Sequence, residues 1–219
     1  AFRTSETRNI YLSAGAHVLQ FATADAAPTY ATVIDLVTLT PASGGSLPSG
    51  TAVNLTASGA SYAQNRSAQT IGALTGVAGS SITNNGVLTV VVDNTNTMFA
   101  GVVCGPGSLV KKGGGTLTLG GANTYTGATA VAAGALEIMA SDTLPTNTTL
   151  EIATGGVVKL SNVGEQSVSA LTFNGVPKFH GTWGAPGSGA RFMRAQFEGT
   201  GILRVLNGPT YPGTMVLVR

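Results

Sequence analysis

Residues 108–138 have the sequence SLVKKGGGTLTLGGANTYTGATAVAAGALEI, in which short apolar runs alternate with glycine and asparagine. Runs such as Thr116 to Leu119 alternate polar and apolar residues, which is the pattern of a β-strand with one buried face. Glycine and asparagine suit sharp corners, because they tolerate positive φ. This segment therefore predicts short strands that are joined by tight corners.

The same strand pattern recurs along the chain. Four segments begin with glycine and place apolar residues at the third and fifth positions, with starts 29, 19 and 22 residues apart: Gly86 to Val90, Gly115 to Leu119, Gly134 to Ile138 and Gly156 to Leu160. Such intervals are typical of solenoid rungs, which bury their inner faces only when they are stacked. We therefore expect an all-β parallel β-solenoid, preceded by a short N-terminal antiparallel strand section.

The composition supports a β-rich structure and argues against nucleic-acid binding and against a membrane-spanning helix. Only 9% of the 219 residues are charged and 31 are glycine, whereas about a quarter of the residues in an average soluble domain are charged. The net charge of +2 is scattered, and Lys111-Lys112 is the one adjacent basic pair, so we do not expect nucleic-acid binding. No apolar run approaches the length of a membrane-spanning helix.

Three sections are predicted. Residues 1–41 contain N-terminal strands, residues 42–175 the solenoid repeats, and residues 176–219 a C-terminal capping segment. The boundary after Pro41 rests on the Gly, Ser and Pro content of residues 41–50, which is typical of a linker. Within the last section Trp183, Phe179, Phe192 and Phe197 are expected to close the open end of the core.

Residues 99–138 resemble the autotransporter-associated β-strand repeat, also called the passenger-associated transport repeat. The resemblance covers the lysine before the glycine cluster, the GTLTL strand, the GANTYTG corner and the following G-x-L strand. It implies a right-handed β-helical passenger of an exported bacterial protein, located outside the cell or at its surface. Residues 181–205 are similar to the terminal segment that follows such repeats.

The N-terminal section has a second resemblance. Residues 10–21 and 33–40 are similar to the last two strands of carbohydrate-binding β-sandwich modules, in which an asparagine often lies two residues before the aspartate; here that position is Val33 and the aspartate is Asp35. Glycan contact is accordingly considered for Asp35, and independently for Trp183. A partial sandwich could also pair with a neighbouring subunit, and the residues proposed for such assembly strands are Ile10, Leu12, Val18, Leu19 and Phe21.

No catalytic residue, metal ligand or cofactor site is predicted. The nine carboxylates form no local acid and base pair, although Glu137 and Glu151 could lie on adjacent rungs of one face. Two histidines and the single Cys104 do not make a zinc motif.

The sequence thus predicts a non-enzymatic extracellular structural protein, a fibre, sheath or adhesin-shaft subunit that self-associates into a homopolymer or joins neighbouring domains of a parent chain. The alternative is a glycan-binding module of a larger secreted protein, with polysaccharide as the partner. A polysaccharide-cleaving β-helix is the third hypothesis.

Overall fold

The computed structural model describes residues 47–65, 67–92, 95–161 and 164–210, together with the backbone of two short strands at 18–20 and 38–39. Within these ranges the chain is all-β and contains no helix. None of the described segments could therefore cross a bilayer as a long apolar helix. This confirms the predicted all-β class.

Short strands make up the described chain. In order they are β1 Val18–Gln20, β2 Thr38–Leu39, β3 Ala52–Leu55, β4 Ser61–Gln64, β5 Ala68–Ile71, β6 Leu74–Gly76, β7 Ser81–Asn84, β8 Val87–Val91, β9 Thr97–Phe99, β10 Val102–Cys104, β11 Ser108–Lys112, β12 Thr116–Leu119, β13 Thr129–Val131, β14 Gly134–Ile138, β15 Thr149–Ile152, β16 Gly156–Leu160, β17 Glu165–Val168, β18 Ala170–Phe173, β19 Val176–Pro177, β20 Gly181–Gly184, β21 Phe192–Met193, β22 Phe197–Glu198 and β23 Ile202–Val205.

These strands wind into a β-solenoid of about six turns. The turns are β3 to β5, β6 to β8, β9 to β11, β12 to β13, β14 to β15, and β16 to β18. Sheet A has the order β1-β3-β6-β9-β12-β14-β16-β22, sheet B β10-β7-β4-β2, sheet C β19-β18-β15-β13-β11-β8-β5, and sheet D β17-β23-β20-β21. Each turn hydrogen-bonds to the next through these mostly parallel sheets, as the predicted rungs require.

Apolar residues stack in columns along the inside of the coil. In sheet A successive register partners form the column Leu55, Gly76, Phe99, Leu119, Ile138 and Leu160. The corresponding column of sheet C is Ile71, Val90, Lys111, Val131, Ile152 and Phe173. Burial alternates along most strands, which follows from the period-2 side-chain direction.

At one step of the sheet A column, a small residue lies next to a large one. Gly76 pairs with Phe99, and a Cβ added to Gly76 would lie 2.5 Å from the Phe99 ring. The fully buried Phe99 thus fills the space that the glycine leaves open, which keeps the core packed at this turn.

The four glycine-led segments do not all lie on one face. Those at Gly115, Gly134 and Gly156 enter β12, β14 and β16, which are neighbours in sheet A, but Gly86 leads into β8 of sheet C. The intervals of 19 and 22 residues are therefore single turns, while the interval of 29 joins two faces. Each face is buried on one side only, so strands of all faces have the same sequence pattern.

The expectation of antiparallel pairing in the N-terminal section is wrong for the two strands described there. Strand β1 pairs in parallel with β3, and β2 in parallel with β4, so both extend the solenoid sheets. Leu47, within the predicted linker, is also part of the coil, because its backbone N–H and C=O bond to the Gln69 side chain, both at 2.9 Å. The three-section division of the chain stays a prediction.

Antiparallel pairs occur instead at the C-terminal end. Strand β19 folds back onto β18 through Asn174 and Gly175, whose φ angles of 49° and 73° suit a tight hairpin turn. Strand β20 runs antiparallel to β23. Since Pro177 in β19 has no N–H and β21 and β22 are two residues long, the sheets end in short edges that resist further pairing.

Candidate functional site

Lys111 lies inside the solenoid, between Val90 and Val131 of the sheet C column, and is fully buried. Its Nζ donates to the carbonyl oxygens of Lys112 and Gly113, each at 2.8 Å, and of Ala133 at 3.2 Å. An ammonium group has three donors, which matches these three carbonyl acceptors. The lysine therefore joins the corners of two successive turns.

The corners around Lys111 bring two backbones close together. Gly113 and Gly134 have φ angles of 79° and 65°, and a Cβ on Gly134 would lie 2.3 Å from the Gly113 carbonyl oxygen. Only glycine fits this approach without strain. The lysine and the glycine cluster thus act together: the glycines bring the carbonyl groups inward, and Lys111 satisfies them.

Asn123 hydrogen-bonds to three turns of the solenoid. It lies beyond β10, which is the last strand of sheet B in the described chain. Its Oδ1 accepts from the Val103 N–H at 2.7 Å, and its Nδ2 donates to the carbonyls of Gly121 and Thr143 at 3.1 and 2.7 Å. The side chain is buried. It thus replaces the missing strand pairing at this corner and leaves none of these groups unsatisfied.

Tyr125 begins a buried chain of hydroxyl groups. Its OH lies 2.6 Å from Thr129 Oγ1, which lies 3.1 Å from Thr148 Oγ1, and Thr148 donates to the Gly127 carbonyl at 2.9 Å. Burial raises the pKa of the Tyr125 phenol above its ordinary value, although the bond with Thr129 acts in the opposite direction. The phenol is therefore neutral and serves as a structural group.

Glutamine side chains form a further internal clamp, by which we mean a buried polar side chain that hydrogen-bonds to main-chain groups of a neighbouring turn. Gln166 accepts from the Leu144 N–H at 3.1 Å and donates to the Leu144 carbonyl at 3.0 Å, as Gln69 does with Leu47. Both leucines lie 22 residues before their glutamine and both precede a proline. Sequence reasoning missed this spacing, which could have been found as a repeated Leu-Pro motif.

The C-terminal end carries a cluster of aromatic side chains. Trp183 packs edge-on against Phe173 at 5.6 Å between ring centroids and against Phe192 at 4.6 Å, while Phe173 lies 6.2 Å from Phe197. Trp183 is only 2% exposed, and its indole N–H donates to the Phe179 carbonyl at 2.9 Å. The aromatic residues grouped from the sequence thus pack together over the last turn of the core.

An open pocket of about 610 Å³ lies beside this cluster and is lined by Val176, Pro177, Lys178, Phe179, Trp183, Arg191, Phe192 and Arg194. Its cations lie over aromatic rings: Lys178 Nζ is 5.2 Å from the Phe173 centroid, and the guanidinium of Arg194 is 5.9 Å from that of Trp183. The pocket therefore combines positive charge with apolar faces.

Residues 109–138 match the family model of the passenger-associated-transport-repeat. Searches of curated proteins and of solved structures found no match. The matched residues run from β11 to the end of β14 and include Lys111, Asn123 and Tyr125. The resemblance seen in the sequence is confirmed over this segment, and the repeat family indicates a secreted or surface protein of bacteria.

Within the passenger-associated transport repeat, the polar residues are the structural clamps described above. The sequence showed that the lysine and the GANTYTG corner belong together, but it did not reveal that Lys111 points inward. The available signal in the sequence was the alternation along this strand, because Lys111 lies two residues after Leu109 and is therefore in phase with the core.

Glu137 and Glu151, considered as a pair on one face, lie on different sheets. Glu137 is in β14 of sheet A and accepts from Thr118 Oγ1 at 2.8 Å. Glu151 is in β15 of sheet C and accepts from Thr172 Oγ1 and the Gly175 N–H. Each carboxylate thus bonds to a neighbouring turn. In the described ranges, no group of three His, Cys, Asp or Glu side chains is placed to hold a metal ion.

The remaining predicted positions lie in the N-terminal section. Val18 and Leu19 are in β1, where they pair with Ala52 and Val53 of the same chain. Asp35, Ile10, Leu12 and Phe21 lie outside the described residues. Glycan contact at Asp35 and strand donation by these residues stay predictions.

Proposed function

We propose that this chain forms a rigid, non-enzymatic shaft in a secreted or cell-surface protein of a bacterium. The observation that carries the proposal is the continuous stack of about six turns, which contains a passenger-associated transport repeat. Such a stack separates whatever lies at its two ends by a fixed distance. A fixed spacer is what a passenger-type structural region provides.

The length of the shaft follows from strand spacing. Sheet A contains eight strands, and neighbouring strands lie about 4.8 Å apart, so the stack extends about 34 Å. Backbone bonds between turns and the buried clamps at Lys111 and Asn123 oppose bending. The carboxylates support a non-enzymatic role, since Glu137 and Glu151 are engaged with threonines on separate sheets.

The ends of the stack favour a single shaft over a fibre. At the C-terminal end, Pro177 and two-residue edge strands oppose stacking of another solenoid. At the other end, sheets A and B end in the short strands β1 and β2 of the same chain. We therefore propose an unpolymerised shaft, and we treat the fibre or sheath as the competing outcome.

Sedimentation velocity and electron microscopy of the purified chain over a wide concentration range test this proposal. We expect a monomer at every concentration. Filaments, or a sedimentation coefficient that rises steadily with concentration, would overturn the single shaft in favour of a fibre.

Deleting residues 1–22 separates the two roles proposed for β1. The deletion removes the partner strand of β3, so we expect the truncated chain to self-associate more than the full chain does, because an uncovered strand edge pairs readily. Deletion of residues 1–9 keeps β1 and serves as the control. If the full chain assembles and the longer deletion abolishes assembly, β1 is donated to a neighbour instead.

A further inference from the structure

The pocket beside Trp183 is the most strongly charged feature of the described surface. Lys178, Arg191 and Arg194 are three of the seven lysines and arginines in the described ranges. None of the five described carboxylates lines the pocket. In a chain with 9% charged residues, this concentration of one sign of charge favours an anionic ligand.

The cations are held in place by the aromatic cluster. Arg191 lies 5.3 Å from the Phe192 ring centroid, within the range of a cation–π contact, as do Lys178 and Arg194 over Phe173 and Trp183. Arg194 also donates to the Met193 carbonyl at 2.9 Å. The positive groups are therefore positioned around half-buried ring faces before any ligand arrives, which lowers the entropy cost of binding.

The other exposed cations of the described ranges do not share a pocket. Lys159 pairs with Glu198 at 3.1 Å, and Arg204 forms a two-point bond with Glu165. Lys112 is exposed on β11, outside the pocket. Lys178, Arg191 and Arg194 are thus the described cations that line one pocket together.

We propose that this pocket binds an acidic polysaccharide, with Arg191 and Arg194 contacting the anionic groups and the exposed apolar side chains of Val176 and Pro177 packing against a sugar ring. A pyranose presents an apolar C–H face beside its polar edge, which matches exposed apolar side chains that lie beside guanidinium groups. Guanidinium groups bind carboxylate and sulfate through paired hydrogen bonds. The choice of polysaccharide over other anions rests on the proposed location outside the cell.

Single-stranded nucleic acid is the strongest competitor, because it too combines stacking with cation contacts. Such proteins use a basic groove that follows several phosphates, whereas this pocket is a single patch with three cations. The structure therefore favours a short anionic glycan segment, and a nucleic acid becomes an outcome of the test.

Trp183 provides the signal for the experiment, because it is the only tryptophan of the chain and lines the pocket. Its fluorescence is titrated with polygalacturonate, dextran sulfate, neutral dextran and an oligothymidylate. The double variant Arg191→Gln/Arg194→Gln is compared with Lys112→Gln, which removes an exposed cation elsewhere. Circular dichroism melting checks that both variants are folded.

We expect the full chain to bind polygalacturonate or dextran sulfate at least about tenfold more tightly than dextran, with binding that weakens as salt rises. The double variant should lose about tenfold or more in affinity, and Lys112→Gln should bind like the full chain. Whichever of polygalacturonate and dextran sulfate binds more tightly shows whether the pocket prefers carboxylate or sulfate groups.

Equal binding of dextran, tighter binding of oligothymidylate, or no difference between the double variant and Lys112→Gln would each overturn the acidic polysaccharide. These results leave the oligomeric state untouched, so failure of this site and failure of the proposed shaft are distinguishable.

Discussion

At the residue scale, three of the polar side chains inside the coil satisfy backbone groups at corners that strands do not reach. Lys111, Asn123 and Gln166 each bond to main-chain atoms of another turn. A buried carbonyl without a partner costs about 1–3 kcal/mol, so each of these residues prevents a local penalty. Their contribution is large only because the alternative is an unsatisfied buried group.

Replacing Lys111 with methionine should therefore destabilise the protein strongly. The variant keeps most of the apolar volume but removes the donor to the carbonyls of Gly113 and Ala133, while the Lys112 carbonyl keeps its bond from the Val92 N–H. We expect the free energy of unfolding to fall by about 3 kcal/mol, as measured by chemical denaturation.

The neighbouring variant Lys112→Met is the matched control. Lys112 is exposed, so its replacement should change the free energy of unfolding by no more than about 0.5 kcal/mol. Equal stability of the two variants would show that the buried ammonium group does not hold the corner.

Because of Tyr125, the free energy of unfolding should depend on pH in the alkaline range. Its folded-state pKa is raised, mainly by burial, so its contribution to stability is complete below about pH 10, the pKa of an unfolded tyrosine. Above pH 10 the unfolded chain ionises this tyrosine and the folded chain does not. The free energy of unfolding should then fall by about 1.4 kcal/mol per pH unit from this residue alone.

Tyr125→Phe isolates this effect, because all other titrating groups are common to both proteins. At pH 8 the variant should be about 1 kcal/mol less stable, since it lacks the bond to Thr129. Near pH 11 that difference should shrink or reverse. A difference that is the same at both pH values would contradict a neutral buried phenol.

At the scale of single strands, stability depends on how residues of successive turns fit within one column. The step from Gly76 to Phe99 is the sharpest case, because a Cβ on Gly76 would also lie 2.7 Å from Ser80 Oγ. The glycine is needed for space and not for backbone conformation, as its φ is not in the positive range.

Gly76→Ala should accordingly cost about 1–3 kcal/mol by overpacking. Adding Phe99→Leu should recover part of that loss, so that a double-mutant cycle gives a coupling energy of about 1 kcal/mol or more. Gly164→Ala is the control, because an added Cβ there meets no atom within 4 Å. Additive effects at positions 76 and 99 would refute this packing relation.

Strand content and the existence of stacked turns were predictable from the sequence, whereas the assignment of strands to faces was not. Alternation at Thr116 to Leu119 and glycine before it determine a strand and a corner locally. The same local pattern begins β8, which lies on another sheet, because face assignment depends on the length of every preceding corner. The parallel pairing of β1 was missed because the sequence does not reveal which distant strand it joins.

The candidate site was less predictable than the fold. Trp183 and three phenylalanines could be grouped because aromatic residues are scarce and concentrated near the C-terminal end. The cations Lys178, Arg191 and Arg194 are separated by up to 16 positions, and the pairing of β19 with β18 and of β21 with β20 brings them around one pocket. Charge clustering of this kind depends on tertiary structure.

At the scale of the whole molecule, the turns form one continuous column and not separate modules. Asn54, Thr118 and Lys159 lie in the same outward column of sheet A, through the register of β3 to β16. Their spacing is therefore set by the number of intervening strands and not by the length of the chain between them. A shaft requires this property, since flexible joints between turns would lose the fixed length.

That spacing can be measured directly by pulsed electron–electron double resonance. Spin labels are attached at Asn54→Cys and Lys159→Cys in a Cys104→Ala background. Five strand intervals separate β3 from β16, so the continuous stack predicts a distance of about 24 Å, broadened by the label arms. A narrow distribution centred near that value is the expected result. A distribution centred far beyond it, or one with no maximum there, would contradict the solenoid shaft.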